Sequence, residues 1–242
     1  MRTGPQVPMG DLDLMQIRAD TNFTYDGPGR MLRTRASRED QRGPAPRLFL
    51  GRTKDGYVVR FGATMPDALA ERLEVIIDRQ PPVEDLYALP PVLAEARKVL
   101  AQHVAITKEE AGPAYRFPEV IKRSEQVVQV TEENRELARG TYPWLYEELA
   151  DWGPCFAVVQ KGRVVSVCFS SRISADAAEA GVDTLPEFQK RGYASAATAA
   201  WGAAIRESGR IPLYSTSWEN VASQGIARRV GLIMFGADTT WW

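Results

Sequence analysis

The chain has one histidine, His103, and two cysteines, Cys155 and Cys168, among 242 residues. A lone histidine excludes a multi-histidine metal site, and no metal is expected. Any Ser-His-Asp or Cys-His arrangement would have to use that single residue. His103 lies in "PVLAEARKVLAQHVAI", whose apolar spacing is helical, so a structural role is assigned to it. The cysteines sit in apolar, strand-like runs without C-x-x-C spacing and read as reduced core thiols, which fits a cytoplasmic protein. Excess charge is also missing. Lysines and arginines number 30 against 31 acids, net −1, which lacks the overall basic balance of a nucleic-acid binder and leaves only a local patch open. No apolar run approaches the ~18 residues of a membrane span. The segment "MRTGPQVPMGDLDLMQIRAD" has no apolar signal-peptide core. No repeat or low-complexity tract occurs.

What is present is 44% hydrophobic residues, enough for an ordinary core in one large domain or two small ones. The first thirty residues are polar and turn-rich, and the reading leaves them partly loose. "RMLRT", "PRLFLGRT" and "GYVVRFG" are strand candidates, the last two joined by an Asp55-Gly56 hairpin. Residues 65–80 carry a helical apolar stripe behind a proline. "QPPVEDLYALPPVL" and "EEAGPAYRFPEV" read as breaks, which places a boundary near residue 115 between a first region, 1–115, and a second, 116–242.

The second region is more regular. A strand is expected at 126–130, helical segments at 131–138 and 143–150, and two strands around Lys161-Gly162, the strongest hairpin signal. A strand at 177–185 precedes "EFQKRGYA", which runs into an alanine-rich helix at 192–208 ended by Gly209. "IPLYST" reads as a strand, 220–230 as a helix ended by Gly231, and 232–236 and 238–242 as closing strands.

A strand that turns directly into a helix at Gln189-Lys190-Arg191-Gly192-Tyr193-Ala194 gathers unpaired backbone N–H groups at the positive end of a helix dipole. That is an anion cradle. Gly192 admits a ligand close to the backbone, and Lys190 and Arg191 add rim charge.

The pattern Q-x-x-G-x-A resembles the pyrophosphate-binding motif of the GNAT superfamily of acetyl-CoA-dependent N-acetyltransferases. The resemblance continues in "STSWENVASQGIARRVGL", where Asn220, Ser223, Gly231 and Leu232 match N-x-x-[AS]-x(7)-G-[FL]. It covers about residues 119–242. It implies an α+β fold with a mixed, mostly antiparallel sheet, a splayed strand pair and flanking helices; the smaller α/β region that precedes it lies outside the resemblance and is compatible with a GNAT-like or substrate-covering part. It also implies a bulge in the strand at 177–185. Acetyl-CoA as co-substrate would then be held by Val182, Asp183 and Thr184, by Gln189, Lys190, Arg191, Gly192, Tyr193 and Ala194, and by Asn220. Acetyl would pass directly to the primary amine of a small molecule, with no nucleic-acid or membrane partner; a homodimer is compatible.

Direct attack needs an amine deprotonated, an oxyanion stabilised and a thiolate reprotonated. Glu179 is the base candidate, although it stands one residue after Ala178, the position of the carboxylate in the histone-modifying branch. The tyrosine found in many members seven residues after the asparagine is Ala227 here. Ser223 and Tyr214 are therefore ranked first as thiolate acids. Ser166, Cys168 and Ser170 share one strand face with Arg172 beyond, and Trp144, Tyr146 and Trp218 are aromatic neighbours for an acceptor pocket. Ser170, Arg172 and Trp218 are the substrate candidates, with Arg172 suited to an acceptor carboxylate. The second reading is a catalytically silent acyl-CoA-binding sensor or partner domain.

Overall fold

The computed structural model describes residues 9–37, 42–122 and 124–242. Its first element corrects the reading of a loose start. Helix α1 (Asp11–Asn22) begins behind Gly10, whose N–H donates to Asp13 Oδ2 at 3.2 Å, with Asp11 and Asp13 in the first turn where the helix dipole favours acids. Leu14, Met15 and Ala19 are buried with Phe49, Val58 and Phe235. Met15 occupies a notch made by two glycines: a Cβ on Gly51 or Gly236 would lie 2.5 Å from its side chain. Residues 1–8 of the expected loose start lie outside the described residues.

The short hairpin β1 (Phe23–Tyr25) and β2 (Met31–Thr34) stands apart as a two-stranded sheet. The remaining strands form one nine-stranded sheet: β3 (Leu48–Thr53), β4 (Gly56–Phe61), β5 (Glu109–Arg116), β6 (Val127–Val130), β7 (Cys155–Gln160), β8 (Arg163–Ile173), β9 (Ala177–Thr184), β10 (Ile211–Ser215) and β11 (Ile233–Trp241). Their order is β4-β3-β11-β5-β10-β9-β8-β7-β6, and β9 with β10 is the parallel pair. Both hairpins expected at Asp55-Gly56 and Lys161-Gly162 are present, the second with Lys161 and Gly162 at φ 51° and 75°, as a twisted two-residue turn requires.

The second break, by contrast, is a strand. β5 sits inside the sheet between β10 and β11, and residue 115 falls within it. Gly112 and Pro113 suggested a turn, but Gly112 has a packing reason: a Cβ there would lie 1.7 Å from the Thr216 carbonyl oxygen. The two closing strands are one, β11, with a bulge at Phe235 between Met234 and Gly236. Of the helix expected at 131–138, only a 3₁₀ turn at Arg135–Ala138 forms, and the next is split into α4 (Pro143–Glu147) and α5 (Leu149–Trp152).

Helices α2 (Asp67–Asp78) and α3 (Pro91–His103) bury Leu73, Ile77, Val92, Ala96 and Leu100 against Leu48, Leu50 and Trp241. Strand residues alternate faces, so Phe49, which packs on α1, separates α1 from these helices by the thickness of the sheet. Helix α6 (Tyr193–Glu207) lies on β7–β10, where its alanines permit close approach and Gly202 receives the Phe117 ring; α7 (Val221–Val230) packs beside it.

Candidate functional site

The β9–β10 pairing runs Ile211↔Ala177, Pro212↔Ala178 and Leu213↔Glu179, then stops. Beyond that fork β9 continues to Thr184 still bonded to β8, with no strand among the described residues on its other edge. The bulge expected in β9 lies in β8 instead. Ser170 is opposite Ala180 and Arg172 is opposite Glu179, so Ser171 is the extra residue, with Ser171 Oγ donating to the Glu179 carbonyl at 3.1 Å.

A cavity of about 610 Å³ opens at the fork on the α6–α7 side. Val182, Asp183, Thr184, Gln189, Lys190, Gly192, Tyr193, Ala194, Asn220, Tyr214 and Ser223 all line it. Arg191 does not: it turns outward, over the Phe188 ring and onto the Glu187 carbonyl at 2.9 Å. The turn between β9 and α6 is strongly bent, with Lys190 at φ 61° and Gly192 at φ 85°. Among the described residues the amides of Lys190 through Ser195 donate to no backbone carbonyl; the first such bond of the helix is Ala196 N–H to the Gly192 carbonyl at 3.0 Å. Six donors at one helix start can bind a diphosphate. Arg229, missed in the sequence, also lines this cavity, and a Cβ on Gly192 would lie 3.5 Å from its guanidinium. Its position on α7 is brought to the cradle only by helix packing.

Two residues ranked as acids meet here. Tyr214 Oη and Ser223 Oγ are 2.7 Å apart, and Asn220 Oδ1 accepts from the Ser223 amide at 3.0 Å, capping α7. Burial pushes the Tyr214 hydroxyl up to about 12 against the lowering hydrogen bond from Ser223, so it stays protonated. Ala227, at the position of the absent tyrosine, is fully buried under α6.

On the opposite face a second cavity, about 650 Å³, is lined by Arg18, Asn22, Glu110, Gly112, Arg172 and Asp238 among others, and it shares Ser215 and Thr216 with the first. Arg18 is 6% exposed and bridges two acids: Nη1 is 2.9 Å from Glu179 Oε2, and Nη2 is 2.9 Å from Asp238 Oδ2. Burial works against the Arg18 charge, but Asp238 and Glu179 outweigh it and raise its pKa. Burial raises the Asp238 carboxyl despite Arg18. Glu179 is 1% exposed, lies just outside this cavity, and keeps Oε1 buried without a partner.

The substrate candidates separate. The β8 bulge turns Arg172 to the α1 face and into this second cavity. Ser170 stays on the α6 face, buried, and accepts the Trp201 Nε1 hydrogen at 3.1 Å. Trp218 stacks near Tyr87 (5.7 Å between rings) and lines neither cavity. Trp144 and Tyr146 belong to a separate core cluster, with Trp144 against Trp152 and Phe169. His103 is exposed at the end of α3, outside both cavities, and Cys155 and Cys168 are buried free thiols. Burial pushes Cys155 up to about 12 and Cys168 well above the ordinary thiol range, which leaves both unreactive.

A parallel strand pair that forks, with a helix-start cradle on one face and a charged cavity on the other, defines an acyltransferase architecture of the GNAT type. Residues 121–236, just under half of the chain, match the GNAT acetyltransferase family model. Similar solved structures include a GNAT-family acetyltransferase of Novosphingobium aromaticivorans DSM 12444 (16% identity, TM-score 0.46); the alignment spans 56% of this chain and 65% of that one. A GCN5-related N-acetyltransferase-like protein of Streptococcus suis 89/1591 shares 15% identity over 96% of this chain and 100% of its own (TM-score 0.49). The aminoglycoside N-acetyltransferase AAC(6')-Iy, solved with CoA, shares 23% over 45% and 92% (TM-score 0.37). No curated protein matches the chain. Among the described residues no helix is long and apolar enough to cross a membrane.

Proposed function

We propose that the chain is an acetyl-CoA-dependent N-acetyltransferase acting on the primary amine of a small molecule. The observation that carries this reading is the fork after Leu213 and Glu179, because cavities on both sheet faces meet there at Ser215 and Thr216. A donor bound on one face and an acceptor on the other would touch only at that gap, which is the geometry direct transfer needs. Acetyl-CoA would supply the acetyl thioester. The amides of Lys190–Ser195 with Lys190 and Arg229 would hold its diphosphate, the open edge of Val182–Thr184 its arm, and Asn220 would keep α7 in place beside it.

Glu179 is the proton acceptor in this reading. Arg18 holds Oε2 and leaves Oε1 free, so a water between cavity and carboxylate would carry the amine proton inward. The Tyr214–Ser223 pair returns a proton on the thiol side; Tyr214 is suited to this because it remains a donor at neutral pH. Residues 1–115 contribute the α1 side of the acceptor cavity through Arg18 and Asn22, in line with a substrate-covering role. Cytoplasmic location agrees with buried reduced thiols.

The test is a panel of primary amines with acetyl-CoA, with free thiol and thermal stability both followed. Amine-dependent CoA release is expected. Stabilisation by CoA with no such release would instead define a silent binding domain, and neither signal would overturn the reading. Glu179→Gln is expected to lower kcat by about 10²- to 10⁴-fold with CoA binding retained. An unchanged kcat would reduce Glu179 to a counter-charge for Arg18.

A further inference from the structure

We propose that Arg172 and Asn22 receive the carboxylate of the acceptor, so that the substrates of this transferase are free amino acids. This rests on the acetyltransferase reading and narrows it.

The pairing of charges in the α1-side cavity singles out Arg172. Arg18 is satisfied by Glu179 and Asp238; Glu109 pairs with Arg97 at 2.9 Å, and Glu110 with Lys108 at 2.7 Å. The Arg172 guanidinium, among the described residues, makes no hydrogen bond, and its Nε is buried without a partner. Asn22 is 7% exposed, lines the same cavity, and has a buried amide oxygen without a partner. A guanidinium Nε and a carboxamide oxygen, both buried and unsatisfied in one cavity, are unusual, since buried polar groups are almost always bonded. A carboxylate satisfies both, bidentate on the guanidinium and accepting from the amide N–H₂ once that group is turned. The Arg172 pKa is lowered, first by burial and only partly offset by Glu179, as expected of a cation whose counter-charge is incomplete.

The placement also suits a small amino acid. Arg172 faces Glu179 across one strand spacing, and Glu179 faces Leu213 across the next, so Arg172 stands roughly 10 Å from β10 in the sheet. Its long side chain covers much of that span, and one small molecule carrying carboxylate and amine bridges the remainder to Ser215. Glu219, at the cavity's lining beside Ser217, favours entry of an ammonium group. In the transfer the deprotonated amine nitrogen bonds to the acetyl carbonyl carbon as the thioester carbon–sulfur bond breaks. Glu179 takes the proton lost by nitrogen, the Tyr214–Ser223 pair gives one to sulfur, and the products are the N-acetyl amino acid and CoA thiol.

The experiment compares matched acceptors on the wild-type protein: L-alanine, β-alanine, 5-aminovalerate and L-glutamate against alaninamide, 3-aminopropanamide, pentylamine and glutamate diamide. Calorimetry of CoA alone, and of each amino acid with CoA present, runs in parallel. At least one amino acid is expected to exceed its neutral counterpart by about 100-fold or more in kcat/KM, since a site built around a polar group rejects analogues lacking it. Arg172→Gln is expected to erase that preference and Arg172→Lys to restore part of it, both with unchanged CoA affinity. Equal turnover of neutral amines, a preference that survives Arg172→Gln, or no amino-acid binding in the presence of CoA overturns this inference alone. Absence of CoA binding removes the transferase reading beneath it. If Arg172→Gln does not fold, the matched pairs decide.

Discussion

The two cavities that meet at Ser215 and Thr216 are made by opposite means. The α6-side cavity is a backbone site: one unbroken stretch from Ala180 to Ser195 supplies its free edge and its amides, and Tyr214, Asn220 and Ser223 close it from the next strand and helix. The α1-side cavity is a side-chain site drawn from α1, β3, β5, β8, β10 and β11, with a buried charge network at its floor. Backbone sites need glycine at fixed positions and so leave a local signature. Side-chain sites need only that distant residues arrive together, and their selectivity can change without altering the cradle across the sheet.

The sharpest way to break this picture is at the seam. Gly112→Ala places a Cβ 1.7 Å from the Thr216 carbonyl oxygen and 2.8 Å from its carbon, backbone atoms that cannot turn aside. A loss above about 4 kcal/mol is expected by chemical denaturation, and a variant as stable as wild type would mean that β5 does not press on Thr216. Next in size, Gly192→Val puts a β-branched residue at φ 85° inside the cradle. CoA affinity should fall by about 100-fold or more in calorimetry, while the fold loses about 1–3 kcal/mol. If affinity holds, the amides are not the anchor. Arg229→Ala is a smaller test: roughly tenfold weaker CoA binding, a flatter salt dependence, and no change in KM for the amine are expected, because the residue belongs to the backbone site only.

Alkaline titration gives the mildest contrast. Cys155 is raised from 9.0 and Tyr214 from 10.0, each to about 12. Below pH 9 both states hold these protons and their contribution is constant. Above it the unfolded chain releases protons that the folded chain retains, so stability should fall as pH climbs toward 12. Cys155→Ala should remove the part that begins near pH 9; an unaltered curve would place the alkaline loss elsewhere.

Why one site was legible and the other was not follows from particular residues. Gly192 after Gln189, and Gly231 after Asn220, are close in sequence and mark turns whose left-handed φ values, 85° and 79°, almost require glycine. Helix α1 was invisible because its inner face carries Arg18, Thr21 and Asn22 beside Leu14, Met15 and Ala19. That mixture erases the apolar stripe by which a helix is read. β5 was masked by Gly112 and Pro113. Arg172 was selected for its chemistry, but its face was not legible, because a single extra residue, Ser171, reverses the alternation beyond it.

Local order fixed the cradle, since a strand, a sharp turn and a helix start need only their own residues to aim amides at one point. Folding alone joined Arg18 to Glu179 and Asp238, separated by 161 and 220 positions, and carried Arg172 across the sheet. Charge pairing and strand register depend on which segments become neighbours. No short window of the chain contains that information.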